Sequence, residues 1–425
     1  MIGNGGALLL GLVAAYLGLQ LIGVTGTVAL ELRTVDLMEY YSAAQLILHG
    51  HAGLVYDWVG LGRLQYHLVA PYGPAYGVVA YLYPPYFVLA LAPLFALPYS
   101  PVYIIWLGFN CLLLVATLYP LERYAGVTGR WRLVFRFGAL TFLPVFLTLG
   151  LGQASIILLA LFTACFFAAR SEQHALAGVL LGVACIKPPY VLPFLLVFLL
   201  WKRWQTLLAF AITGGFLALA PVLVFGTSIY SRYLTMLFQT SSWQGRSMDT
   251  PLYFHHYYIP TGTYAAQWNH SFAGLTDLLL HGTAATAAGM ALRLAVLAVL
   301  VWGTRRANNV DVPFALATIA ALLIAPHVLA YDLSLLLIPV AVALRLRAVG
   351  RGSLACVLVA GYFGVAIGYR LVFTVPVQLS VVLMLALFGW LVLALHVTST
   401  ERGDAGRHST IGSAATDSPQ LVLDA

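Results

Sequence analysis

Apolar runs of membrane-crossing length recur along almost all of this 425-residue chain. They lack period-two alternation. Lipid also requires backbone polar groups to be satisfied within each segment, so the pattern predicts α-helices throughout. The first run covers residues 7–30 and is followed by a long polar segment, 31–100. Further runs lie at 101–120, 133–150, 154–170, 205–226, 284–303, 311–326, 333–346, 353–370 and 376–397. Two shorter ones, 175–186 and 190–201, are separated by Lys187-Pro188-Pro189, where the prolines stop a helix from continuing. The expected fold is all-α, a polytopic helical membrane protein with about twelve crossings on the usual length criterion. Residues 86–97 are apolar but too short to cross, and a half-embedded helix over 84–98 is expected at the outer face. A second polar loop spans 227–282. The chain reads as one membrane domain, 1–397, with a polar, disordered tail at 398–425.

Composition agrees, with 61% hydrophobic residues, 8% charged residues and a mean hydropathy of +0.92. No Lys or Arg precedes Arg33 and no cleavage site is evident, so the first run reads as a retained span. The net charge of +7 matters through its placement. Fourteen of the 21 basic residues fall on one side, in Arg123/Arg130/Arg132/Arg136, Arg170, Lys202/Arg203, Arg305/Arg306, Arg345/Arg347/Arg351 and Arg402/Arg407. That side, with both termini and the tail, is expected to be cytoplasmic. The basic balance reflects topology, and no nucleic-acid partner is inferred. The four cysteines, 111, 165, 185 and 356, lie inside apolar segments without metal-ligand spacing and read as core hydrophobes.

The polar residues with chemical potential collect on the opposite face. Asp36 follows the first span in a chain with only 14 acidic residues, and with Glu39 it shares a helical face. A capping box accounts for the pair as well as a catalytic base does. Lys187 is one of two lysines and sits at the proline break. Its readings are a partner for a phosphate or a side chain snorkelling to the interface. Pro326-His327-Val328-Leu329-Ala330-Tyr331-Asp332 joins two spans, and its spacing predicts His327 and Tyr331 on one helical face. Asp332 is a candidate cap and His327 a candidate interface histidine or site residue. Gly152-Gln153 makes a turn and offers a ligand contact, as does Tyr83 in Tyr83-Pro84-Pro85. Asn269-His270 and the cluster His255-His256-Tyr257-Tyr258 suit a sugar or an interfacial aromatic belt, and adjacent histidines make a poor metal site. Gly178 and Gly182 read as helix-packing positions.

Together these pieces resemble glycosyltransferase family 87, over roughly 30–340. The resemblance rests on Val35-Asp36 followed by Tyr40-Tyr41-Ser42-Ala43-Ala44, Gly50 and Leu54-Val55-Tyr56, and on Tyr83-Pro84-Pro85. It rests further on Gly152-Gln153, on Ala177-Gly178 through Lys187-Pro188-Pro189, on Asn269-His270-Ser271-Phe272-Ala273-Gly274 and on Ala325-Pro326-His327 with Tyr331-Asp332. The family's usual Asn-Gln-Ser is Asn-His-Ser here.

The resemblance implies a C-type glycosyltransferase architecture with a large first extracytoplasmic loop. It implies transfer of a sugar, most often mannose, from a polyprenyl-phosphate donor to a glycolipid or glycan acceptor outside the membrane. Asp36 would be the catalytic base of an inverting displacement and His327 a second catalytic residue. Lys187 would hold the donor phosphate. Glu39, Tyr83, Gln153, Asn269, His270, Tyr331 and Asp332 would contact substrate. No metal and no cofactor are expected, and the expected location is a bacterial inner (plasma) membrane. The rival reading is a transporter or flippase for a lipid-linked or sugar substrate. Transporters carry matching helix breaks in two related halves, and only one break is found.

Overall fold

The computed structural model describes residues 36–69, 79–241, 263–346 and 351–414. The expected first span at 7–30 and the His255-His256-Tyr257-Tyr258 cluster lie outside the described residues. Among them every regular element is a helix and no strand occurs. Among the described residues five helices are long and apolar enough to cross a membrane: Tyr99–Tyr124, Trp204–Phe225, Gly282–Arg306, Leu354–Leu371 and Leu379–Val397. A sixth crossing is formed if Arg130–Thr141 and Leu143–Leu151, bent by 50°, make one span. The protein is thus an integral membrane protein.

The remaining apolar helices are shorter. Pro85–Phe95 has 11 residues, about 17 Å at the helical rise, well under a bilayer core. The expected break is present: His174–Val183 passes through a 3₁₀ turn, Ala184–Ile186, and Pro188–Leu200 starts afresh after Lys187. The expected 333–346 span is a 3₁₀ segment, Ala330–Leu336, leading into Leu337–Arg345. The last helix runs to Ala414, past the 398 boundary drawn for the tail.

Asp311–Ile324 is the centre of the molecule. Every residue from Asp311 to Leu323 is buried, as an all-round apolar helix requires. Phe314 on it meets Phe194 with ring centroids 4.6 Å apart, and Phe194 meets Phe162 at the same distance. Trp204–Phe225 is the opposite case, with most of its surface facing outward. It is held by close contact with His174–Val183. A Cβ at Gly178 would lie 2.2 Å from the Thr206 carbonyl oxygen, and one at Gly182 2.6 Å from the Thr213 Cβ. Both glycines are therefore packing positions.

Candidate active site

Three helices begin at the polar residues that stood out along the chain. Asp36 stands directly before Leu37–Leu48, Gln153 just before Ser155–Arg170, and Lys187 directly before Pro188–Leu200. Gly152 brings the first two together. It ends Leu143–Leu151 in the left-handed region (φ 72°, ψ 28°), and a Cβ there would lie 2.8 Å from the Leu37 Cβ. Only glycine makes this reversal while pressed against the neighbouring helix. The Trp106 indole N–H fixes the turn by donating to the Gly152 carbonyl at 2.7 Å.

Gln153 is the hub of the site. Its amide nitrogen donates to Asp36 Oδ2 at 2.8 Å and to Glu39 Oε1 at 3.1 Å. Its amide oxygen accepts from the Tyr40 hydroxyl at 2.7 Å and the Tyr83 hydroxyl at 3.0 Å. An ionised carboxylate only accepts, which fixes the sense of the amide. Asp36 occupies the N-cap position but makes no side-chain cap bond. Its carboxylate is directed to Gln153 instead, so the capping reading fails for this residue.

A second cluster surrounds Asp332. Its Oδ1 accepts from Lys187 Nζ at 2.5 Å and Ser155 Oγ at 2.6 Å. Its Oδ2 accepts from the Tyr190 hydroxyl at 2.7 Å and the Leu329 backbone N–H at 3.2 Å. Asp332 therefore caps its own 3₁₀ segment and also pairs with Lys187. The Lys187 ammonium lies 5.1–5.6 Å from the ring centroids of Tyr83, Tyr190 and Tyr331, a cation–π cradle. Tyr83 thus joins the two clusters, its hydroxyl on Gln153 and its ring against Lys187.

Burial pushes the Asp36 carboxyl up to about 6. The Gln153 hydrogen bond and the Lys187 charge pull the other way, and Asp332 adds to the rise. Glu39 is raised well above the usual carboxylate range by burial and by Asp36. Burial lowers the His327 imidazole to about 4, leaving it neutral at physiological pH. By accessible surface Asp36 is half-buried and His327 exposed, although neighbouring groups crowd both side chains. Lys187 also keeps 17% of its side chain accessible, while Glu39, Tyr83, Gln153, Tyr331 and Asp332 are buried.

The expectation that His327 and Tyr331 share a helical face is not met. Asp311–Ile324 ends before Ala325-Pro326, and residues 327–329 are irregular. Proline disfavours a helical residue before it, and Ala325 is accordingly extended (φ −58°, ψ 145°). Asn269 and His270 clamp this irregular segment. Asn269 Oδ1 accepts from the Val328 N–H at 3.1 Å, its Nδ2 donates to the Pro326 carbonyl at 2.9 Å, and the His270 N–H donates to the Val328 carbonyl at 2.7 Å. The His270 ring is buried against Ser380 Oγ at 2.7 Å. Neither residue hydrogen-bonds to the Gln153 or Asp332 clusters, so the structure gives them a supporting position.

Ser155, Tyr190 and Tyr40 complete the networks and were not singled out from sequence as site residues. Their one signal is register: Ser155 lies two residues after Gln153, Tyr190 three after Lys187 and Tyr40 one after Glu39. Among the described residues no three His, Cys, Asp or Glu side chains converge in the way a metal cage requires.

A family model for glycosyltransferase family 87 matches residues 81–330. The chain belongs to glycosyltransferase family 87. The match spans more than half the chain and holds Tyr83, Gln153, Lys187, Asn269, His270 and His327. Asp36 and Glu39 lie before it and Asp332 just after, and side-chain contacts to Gln153 and Lys187 tie them in. Family 87 membership makes the protein a glycosyltransferase set in a membrane, acting on a sugar donor and an acceptor. No curated protein and no solved structure matches it.

Proposed function

We propose that this family 87 protein transfers a sugar, mannose first among the candidates, from a polyprenyl-phosphate donor to a glycolipid or glycan acceptor. The proposed setting is the extracytoplasmic face of a bacterial inner membrane, in a C-type architecture. One observation carries the reading. The three accessible side chains of the site are a carboxylate poised near neutrality, a lysine and a neutral histidine, each fixed or hemmed in by buried neighbours.

In the proposed step Asp36 removes the proton of the acceptor hydroxyl as its oxygen attacks the anomeric carbon. The bond from that carbon to the phosphate oxygen breaks, the electron pair leaves with the polyprenyl phosphate, and the centre inverts. A carboxylate with a pKa near 6 suits a base working close to neutral pH. Lys187 has three N–H donors and commits one to Asp332, which leaves two for the phosphate oxygens whose charge grows in the transition state. In this reading His327 hydrogen-bonds a substrate hydroxyl, and the Asn269-His270 clamp holds the irregular segment that carries it.

The test is transfer from radiolabelled polyprenyl-phosphate mannose into membrane lipids and glycans, comparing wild type with Asp36→Asn at matched protein level. Loss of transfer in a variant that melts like wild type supports the assignment. Unchanged transfer removes Asp36 from the chemistry. No transfer by wild type from mannose or arabinose donors, with lipid scrambling in vesicles instead, replaces the reading with a flippase.

A further inference from the structure

On the arginine-rich side, away from the Gln153 site, lies an open recess of about 390 Å³. Its walls include Tyr119, Arg123 and Tyr124 from one helix, Phe167 and Arg170 from a second, and Arg345 from a third. The Arg170 and Arg345 guanidinium carbons are each 5.0 Å from the centroid of the buried Tyr124 ring. Arg170 has Asp311 as counter-charge at 3.1 Å. Arg123 and Arg345 have no acidic partner among the described residues; they donate to the Tyr119 hydroxyl and the Tyr124 carbonyl, each at 3.0 Å. Three guanidiniums around one recess, neutralised by one carboxylate, repel each other, and a bound anion would relieve that repulsion.

The approach to the recess is apolar. Leu112, Val115 and Tyr119 are 72%, 65% and 55% exposed, and at helical spacing they form a stripe that ends at Arg123. On a membrane-spanning helix such a stripe faces hydrocarbon. The ligand this surface fits carries an acyl chain along the stripe and a phosphate at its end. We propose that the recess binds the phosphate of an anionic phospholipid in the leaflet on the arginine-rich side. Guanidinium forks match phosphate oxygens two at a time, and basic recesses between helices on that side suit such headgroups.

The test uses the full purified chain, titrated with phosphatidylglycerol or phosphatidylcholine and read by native mass spectrometry. Wild type is expected to retain phosphatidylglycerol in preference to phosphatidylcholine. Arg123→Gln, at an exposed position that leaves the packing intact, is expected to bind it about tenfold more weakly. Arg345→Lys keeps the charge but loses the fork, and weakens binding too. Arg305→Gln, elsewhere on the same side, retains wild-type binding. Equal retention by wild type and both recess variants would overturn the proposal. So would an equal loss in Arg305→Gln, which means a diffuse basic surface. Displacement of the lipid by millimolar inorganic phosphate would also overturn it, since the recess would then read bare phosphate.

Discussion

On the arginine-rich side Glu122 and Asp311, both buried, meet guanidiniums, whereas at the Gln153 site Asp36 and Glu39 share one neutral amide. Glu122 takes a two-point bond from Arg136, at 2.5 and 3.1 Å, with Arg132 at 3.3 Å, and Asp311 takes Arg170. Those pairs join consecutive or crossing helices by direct charge neutralisation. At the site only Asp332 has a cation, and that cation is partly accessible. Charge that is fully matched locks helices together. Desolvated charge left without a direct counter-ion keeps a proton equilibrium near neutrality, where it can do acid–base work.

The contrast is open to direct attack. The largest expected effect is Asp36→Asn, which removes the proposed base and is expected to lower the transfer rate by about 10²–10⁴ while the melting temperature holds. Lys187→Ala leaves Asp332 buried and unpaired and is expected to cost about 3 kcal/mol of stability as well as transfer. The paired replacement Lys187→Met with Asp332→Asn removes both charges but keeps an acceptor for the Tyr190 hydroxyl and the Leu329 N–H, and is expected to recover part of the melting loss without recovering transfer. Gln153→Leu strips partners from two tyrosine hydroxyls and two carboxylates and is expected to destabilise by about 2 kcal/mol, read from thermal melts. The same variant sharpens the pH argument. The base acts when deprotonated, so kcat/KM should rise with pH through about 6 and level off above it. The Gln153 bond holds the Asp36 pKa down, so its loss should move that rise to higher pH. The smallest effect is expected from Arg136→Gln, which loosens the helix pair at Glu122 and leaves the transfer rate unchanged.

Much of this was legible along the chain because charge is rare in it. Asp36 and Lys187 stood out as isolated ions among apolar runs, and Pro188-Pro189 marked the helix break that holds Lys187. The pairing of Lys187 with Asp332 was not legible, since 145 residues separate them and each alone had a simpler explanation. Ser155 and Tyr190 were invisible for a different reason. Serine and tyrosine are ordinary residues near helix starts, and only the placing of Asp332 between them makes them part of the site. The helical face drawn through His327 and Tyr331 failed because Pro326 outweighs the hydrophobic spacing around it. The Asn269-His270 clamp is a long-range contact that spends the Asn269 amide on backbone groups 57 and 59 residues away, and nothing local in the sequence points to it.

Leu37–Leu48, Ser155–Arg170 and Pro188–Leu200 all start at the two clusters that Tyr83 joins, and each carries the positive end of its peptide dipole there. That part of the field belongs to the backbone. No protonation event switches it off and no single side-chain replacement deletes it. A protein stripped of Lys187 would therefore keep some attraction for an anion, such as the departing phosphate of the proposed donor, built into the direction in which three helices run.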